Sequence, residues 1–243
     1  MAGGGESQSD PELAAHQPTP RGTRAWRVSR SLAWPRSCEL CASWSPHPLC
    51  KLCVERFARA DRRCERCAIR MATDEPVCGA CLHRAPTFDR ALAAVDYAWP
   101  WNQLLTRFKF HAQPELAGLL AERMIDVIDR QGRRGADLLV PIPLSDQRIG
   151  ERGYNQSWEL ARRIGRRLGI ATRADGLTRG RDTPHQVGLH RTEREANLRH
   201  SMWVAPASAT LQGRHVALID DVMTTGATAE VAAQAIRDRK SVV

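Results

Sequence analysis

Val216-Ala217-Leu218-Ile219-Asp220-Asp221-Val222-Met223-Thr224-Thr225-Gly226-Ala227-Thr228 is the stretch that decides the fold. Four apolar residues, two acids, a Thr/Gly turn and an Ala-rich continuation describe a buried strand, a tight loop and the start of a helix. The amides of Thr224 to Thr228 can cradle a 5′-phosphate, because free N–H groups and the dipole at a helix start favour an anion. Gly226 allows close backbone approach. Asp220 and Asp221 fall at the carboxyl end of the strand, where open α/β sheets bind ligands, and two adjacent carboxylates can accept hydrogen bonds from two vicinal ribose hydroxyls. A lone Asp-Asp would read as a helix cap. The full ordered string Asp220, Asp221, Val222, Met223, Thr224, Thr225, Gly226, Ala227, Thr228 reads instead as a binder of ribose 5-phosphate.

Working outward, the pattern from Thr87 onward is α/β. A strand is expected at Ala91 to Ala98, helices at Asn102 to Phe110 and Glu115 to Arg130, and a buried strand at Leu138 to Pro143. Tyr154 to Leu168 carries Leu160, Ile164 and Leu168 at spacing four, with Arg162, Arg163, Arg166 and Arg167 on its outer face. A short strand at Met202 to Ala205, the strand of the quoted stretch and a helix from Ala227 to about Arg237 complete the alternation. Strands alternating with helices predict a mostly parallel, Rossmann-like sheet covered on both faces.

All eight cysteines lie between Cys38 and Cys81, as four Cys-x-x-Cys pairs: Cys38 and Cys41, Cys50 and Cys53, Cys64 and Cys67, Cys78 and Cys81. Each pair turns two thiolates toward one centre, and two pairs make the tetrahedral sulfur site that zinc prefers, so eight thiolates imply two Zn²⁺ ions. A disulfide framework would need a secretory signal, and a redox pair would not recur four times. The short intervals favour sequential pairing of the cysteine pairs, with a cross-braced arrangement as the alternative. Four protein ligands leave no open position, so the sites read as structural. Trp44, Leu49 and Phe57 are nearly the only large apolar side chains there, which predicts that the segment unfolds without metal.

The chain has 243 residues and a formal charge of +9. The basic excess is spread out: 4 against 3 acids in residues 1–35, 9 against 6 in 36–84 and 23 against 18 in 85–243. No segment is a dedicated basic arm, although a solvated basic face would suit anionic partners. No run approaches the roughly 20 apolar residues of a membrane span, and no signal peptide precedes the cysteines, so a cytoplasmic protein with no membrane partner is expected. The expected organisation is a disordered leader at 1–33, a double zinc ribbon at 34–84 and an α/β domain at 85–243.

The quoted stretch resembles the signature of type I phosphoribosyltransferases, and the rest of the chain resembles the ComF family of competence-associated, phosphoribosyltransferase-like proteins. The resemblance runs from about Trp34: the cysteine pairs, Phe88-Asp89, Phe108-Lys109-Phe110, Val140-Pro141-Ile142-Pro143-Leu144, Arg148, and Arg152-Gly153-Tyr154-Asn155-Gln156. It continues through Arg179, Asp182-Thr183, Gln186, Arg191, Arg194 and Asn197. It implies a type I phosphoribosyltransferase-like fold and phosphoribosyl pyrophosphate bound with Mg²⁺ at Asp220 to Thr228. Val140 to Gln156 then corresponds to the pyrophosphate loop, with Arg148 and Arg152 neutralising the leaving group beside the catalytic Asp220 and Asp221. Lys109 reads either as a basic position of the family or as a solvated helix lysine. Arg191 and Arg194 read either as members of a closing loop or as exposed ion-pair partners. The resemblance also implies one more strand after the last helix, which the ending Arg239-Lys240-Ser241-Val242-Val243 barely begins, so a truncated final strand is expected.

Two functions follow from these readings. The first is transfer of phosphoribose to an acceptor that the sequence does not identify, in DNA uptake or nucleotide salvage. The second is a scaffold that binds single-stranded DNA or DNA-processing proteins, with the face at Arg162 to Arg167 as its basic surface. The oligomeric state is not legible.

Overall fold

The computed structural model describes Met1 and residues 36–131, 135–180, 202–204 and 211–237. The described residues from Arg36 to Arg237 form one compact unit. Its chain order begins with β1 (Arg36–Ser37) and β2 (Trp44–Ser45), an antiparallel pair, followed by α1 (Lys51–Phe57) and α2 (Gly79–His83). Then come α3 (Trp101–Phe110), α4 (Leu116–Arg130), β3 (Leu138–Pro141), α5 (Asp146–Arg152), α6 (Gln156–Leu168) and β4 (Ala171–Thr172). After the short antiparallel pair β5 (Thr178–Arg179) and β6 (Met202–Trp203), β7 (Val216–Ile219) runs into α7 (Ala227–Arg237).

The central sheet has the order β4-β3-β7, all parallel, with Leu138 opposite Val216 and Pro141 opposite Ile219. Side chains alternate across it as the pleat requires. Leu139, Ala217 and Ile219 face the core built from α3, α4 and α6. Leu138, Val140, Val216 and Leu218 face the opposite core, built from Val231, Ala232 and Ile236 of α7 together with Met202 and Val204. The sheet is thus covered on both faces, which is why β3 is apolar at three successive positions instead of alternating. Helix α6 lies unusually close to β4, because a Cβ at Gly165 would sit 2.1 Å from Thr172 Oγ1 and 2.7 Å from the Ile170 carbonyl oxygen.

The expected helices and the two central strands are present within a residue or two of their boundaries. Ala91 to Ala98 is not a strand. Its apolar side chains instead line, with α4 and β7, an open cavity of about 830 Å³ that reaches Asp220 to Thr224. Apolar alternation marks which side chains face a core; it supplies no neighbouring strand, and among the described residues none pairs with this segment. The predicted leader at 1–33 apart from Met1, the segment 181–200 with Arg191 and Arg194, and the expected final strand after α7 lie outside the described residues.

Candidate functional site

The carboxyl end of the sheet gathers residues from four elements. Strand β7 delivers Asp220 and Asp221, and Ile142 just past β3 donates its amide to the Ile219 carbonyl at 2.9 Å, keeping the two strand ends in register. Asn155 caps α6 by accepting from the Trp158 amide at 3.2 Å and donates to the Ile142 carbonyl at 3.1 Å. One side chain thereby fixes the start of α6 against the end of β3. The first turn of α6 presents Ser157, 3% exposed, whose hydroxyl donates to Asp220 Oδ1 at 3.1 Å. Lys109, near the end of α3, places Nζ 3.0 Å from Asp221 Oδ1. Lys109 is therefore ion-paired and mostly buried, not a solvated helix lysine.

Burial raises the Asp220 carboxyl to about 6, and the neighbouring charge of Asp221 adds to the effect. The Asp221 amide, Ser157 and Lys109 act in the opposite direction without cancelling it. Two acids this close, in a partly desolvated position, favour a bound cation or hydroxyl donors over mutual repulsion.

Beyond the acids the chain turns through Met223, Thr224 and Thr225, all exposed, to Gly226 at φ +77°. This left-handed conformation is open to glycine and strained for residues with a Cβ. The Gly226 carbonyl accepts the Glu230 amide at 2.8 Å, opening α7, so the amides of Ala227 and Thr228 fall in its first turn. On the other side, Arg152 is held by Gln156 Oε1 at 3.0 Å and stacks over Phe110, its Cζ 5.2 Å from the ring centroid. Lys109, Phe110, Glu151 and Arg152 line a small pocket of about 110 Å³. Arg148 lies one turn earlier on the same face of α5. Lys109 and Arg152 therefore line one pocket, and Lys109 joins it to the acids through Asp221. Ser157 carried no signal in the sequence, since nothing there relates a helix-start serine to an aspartate 63 positions later.

The cysteines form two separate sets in sequential pairing, Cys38, Cys41, Cys50, Cys53 and Cys64, Cys67, Cys78, Cys81, each with its sulfurs within 4.8 Å of one another. The sets are built alike. Ala42 and Ala68, each following a Cys-x-x-Cys turn, take left-handed backbones at φ 58° and 59°, and their amides donate to the Cys38 and Cys64 carbonyls at 2.9 Å. Cys50 and Cys78 occupy the N-cap positions of α1 and α2, and their amides point at Cys38 and Cys64 sulfurs at 3.3 Å. The closest sulfur pairs are 3.6 and 3.7 Å apart, near the roughly 3.8 Å edge of a tetrahedral Zn–S₄ site.

The thiols respond to this crowding in both directions. The Ser43 hydroxyl and amide hold Cys41 down to about 6. Burial would raise Cys64, but the amides of Cys67, Cys78 and Arg66 lower it to about 6. Burial and neighbouring sulfurs push Cys53 and Cys81 up. A divalent cation at the centre would remove that opposition by favouring thiolate at all four positions. The donor set fits structural zinc.

Comparison with characterised sequences bears on what this arrangement belongs to. DNA utilization protein YhgH of Escherichia coli K12 is 31% identical over 201 residues, covering 80% of this chain and 87% of that relative. Competence protein F of Haemophilus influenzae is 31% identical over 185 residues, covering 74% and 80% of the two chains. The chain belongs to the ComF family. Competence protein ComFC of Bacillus subtilis, a further ComF relative, is 30% identical over 138 residues, covering 57% of this chain and 54% of that one. No family model matches the ComF chain described here. Among solved structures, the glutamine phosphoribosylpyrophosphate amidotransferase of B. subtilis complexed with ADP and GMP has a TM-score of 0.34 at 18% identity, covering 54% of this chain and 24% of that one. At that level the likeness carries no argument here.

Proposed function

We propose that this ComF-family chain binds phosphoribosyl pyrophosphate with Mg²⁺ at Asp220 to Thr228 and transfers phosphoribose to an acceptor in DNA uptake or handling. The observation that carries the reading is the convergence of Asp220 and Asp221 with Lys109 and Arg152 beside an exposed loop opening a helix. The loop amides suit a 5′-phosphate, the paired acids suit ribose hydroxyls, and the cations suit a pyrophosphate leaving group. Mg²⁺ would neutralise the pyrophosphate. The chain's own residues position and neutralise; none of those gathered here stands as a base for the incoming group. The two cysteine sets would hold structural zinc, and the expected cytoplasmic location suits both ligands.

The names of the E. coli and H. influenzae relatives favour a second reading, a DNA-processing scaffold. Its basic face is narrower than the sequence suggests. Arg162 and Arg163 are half-buried and bound to Glu159, whereas Arg166 and Arg167 are exposed.

The test is calorimetric titration of zinc-loaded protein with phosphoribosyl pyrophosphate and Mg²⁺, beside the double variant Asp220→Ala, Asp221→Ala. Saturable binding lost in the variant supports the first reading. No binding by the folded wild-type protein rejects it and favours the scaffold, whose DNA affinity should fall steeply with salt.

A further inference from the structure

We infer that the second cysteine set positions the phosphate loop through Glu230, so that the zinc module and the ligand site work as one mechanical unit. The inference rests on the ribose-phosphate reading of that loop. Glu230 lies in the first turn of α7, two residues beyond Thr228. Its carboxylate takes two bonds from one residue of the segment leaving α2: the Thr87 amide donates to Oε2 at 2.8 Å and the Thr87 hydroxyl donates to Oε1. Gln234, one turn later, donates to the same Oε1 at 3.1 Å. At the far end of α7, Arg237 reaches Asp89 Oδ1 at 2.5 Å, and between these two contacts Phe88 is buried at 6% exposure. Residues 87–89 thus grip both ends of the helix whose first turn faces the phosphate.

That segment is anchored in turn to the second cysteine set. Cys81 belongs to α2, six residues before Thr87. Arg63, adjacent to Cys64, donates to the Ala68 carbonyl inside the same set at 3.1 Å and reaches Asp96 Oδ1 at 2.8 Å. Arg70 reaches the other carboxylate oxygen, Asp96 Oδ2, at 3.7 Å. The set therefore holds residues 84–96 at both ends.

A carboxylate in the first turn of a helix would by itself suit the dipole, but it would also repel a phosphate bound there. Holding that charge on two donors of Thr87 turns it away from the loop and uses it as a strut. A metal centre fixes the strut's base more rigidly than local packing could, since the second set buries few large apolar residues. Glu230 and Thr87 are positioning residues and touch no ligand.

The test uses the full, zinc-loaded chain and backbone amide exchange of residues 224–231, with zinc content measured alongside. Glu230→Ala should accelerate exchange in this stretch about tenfold and weaken phosphoribosyl pyrophosphate binding about five- to tenfold, with both zinc ions retained. Thr87→Val, which removes only the hydroxyl, should give a smaller change of the same sign, and Thr87→Ser should restore wild-type exchange. Cys81→Ser should also accelerate exchange, and adding Glu230→Ala to it should change little further, because both act through one contact. Unchanged exchange in Glu230→Ala, or equal effects of Thr87→Val and Thr87→Ser, overturns the inference. A wild-type chain that shows the exchange pattern and binds no phosphoribosyl pyrophosphate rejects the ligand assignment and leaves the strut standing.

Discussion

Lys109 Nζ stands 3.0 Å from Asp221 Oδ1, with 17% and 9% of the two side chains exposed. The pair links α3 to the end of β7 and neutralises one of two adjacent carboxylates. Lys109→Met keeps the length of the side chain and removes the charge. It should cost about 1–3 kcal/mol of stability at pH 7, because a largely desolvated carboxylate loses its partner. Denaturant titration measures this, and a change below about 0.5 kcal/mol would return Lys109 to the class of surface ion pairs.

Asp220 gives the chain a pH signature. Its carboxyl is raised from the ordinary value of about 3.9 to about 6 by burial and by Asp221. Folded protein therefore holds this proton more tightly than unfolded protein does, so its contribution is most favourable below about pH 4 and is lost as pH rises to about 6. Asp220→Asn should flatten that part of the stability curve relative to wild type. Ligand affinity should move oppositely in the wild type, rising with pH through about 6 as the carboxylate becomes available. An affinity independent of pH between 5 and 7 would remove Asp220 from the binding reaction.

Gly226 tests the loop without touching its side chains. Nothing lies within 4 Å of the position a Cβ would take, so Gly226→Ala meets no clash and its cost is that of the positive φ alone. Thermal unfolding should show a loss of about 1 kcal/mol. Binding of inorganic phosphate should weaken as the loop relaxes toward negative φ. Full retention of both would mean that the left-handed turn is not needed.

The first cysteine set should matter to the whole fold and not to a detachable appendage. Cys38, Cys53 and Leu49 belong to the same core as Trp101, Leu104 and Phe108, and Trp101 Nε1 donates to the Phe57 carbonyl at 2.7 Å. Zinc analysis should give two ions per chain. A strong chelator should lower the unfolding temperature of the α/β core as well as release metal; an unaltered core transition would contradict the shared packing.

Ala42 offers a gain of stability. It is exposed, and its left-handed φ of 58° strains any residue with a Cβ. Ala42→Gly relieves that strain and should stabilise the metal-loaded protein by a few tenths to about 1 kcal/mol, the net of relief and extra freedom in the unfolded chain. Denaturant titration with metal present measures it.

The periodicity of apolar residues and the chemistry of a few short motifs determined much of this protein. The parallel α/β pattern, the strand-acid-acid-turn-helix order around Asp220 and the four cysteine pairs are local features, and local spacing encodes them directly. The role of Lys109 was undecided in the sequence, because an exposed lysine and a buried one read alike until α3 is placed against β7. The same limit hid Ser157 and the strut from Thr87 to Glu230, whose partners are separated by 63 and 143 positions. It also misled at Ala91 to Ala98, where apolar alternation was present and no strand among the described residues stood beside it, and at Arg162 and Arg163, whose charge Glu159 absorbs. Sequence fixes what a segment can do by itself, through propensity, periodicity and donor chemistry. Which distant groups meet, and so which charges are buried, paired or left to face a ligand, depends on packing that only the tertiary structure decides.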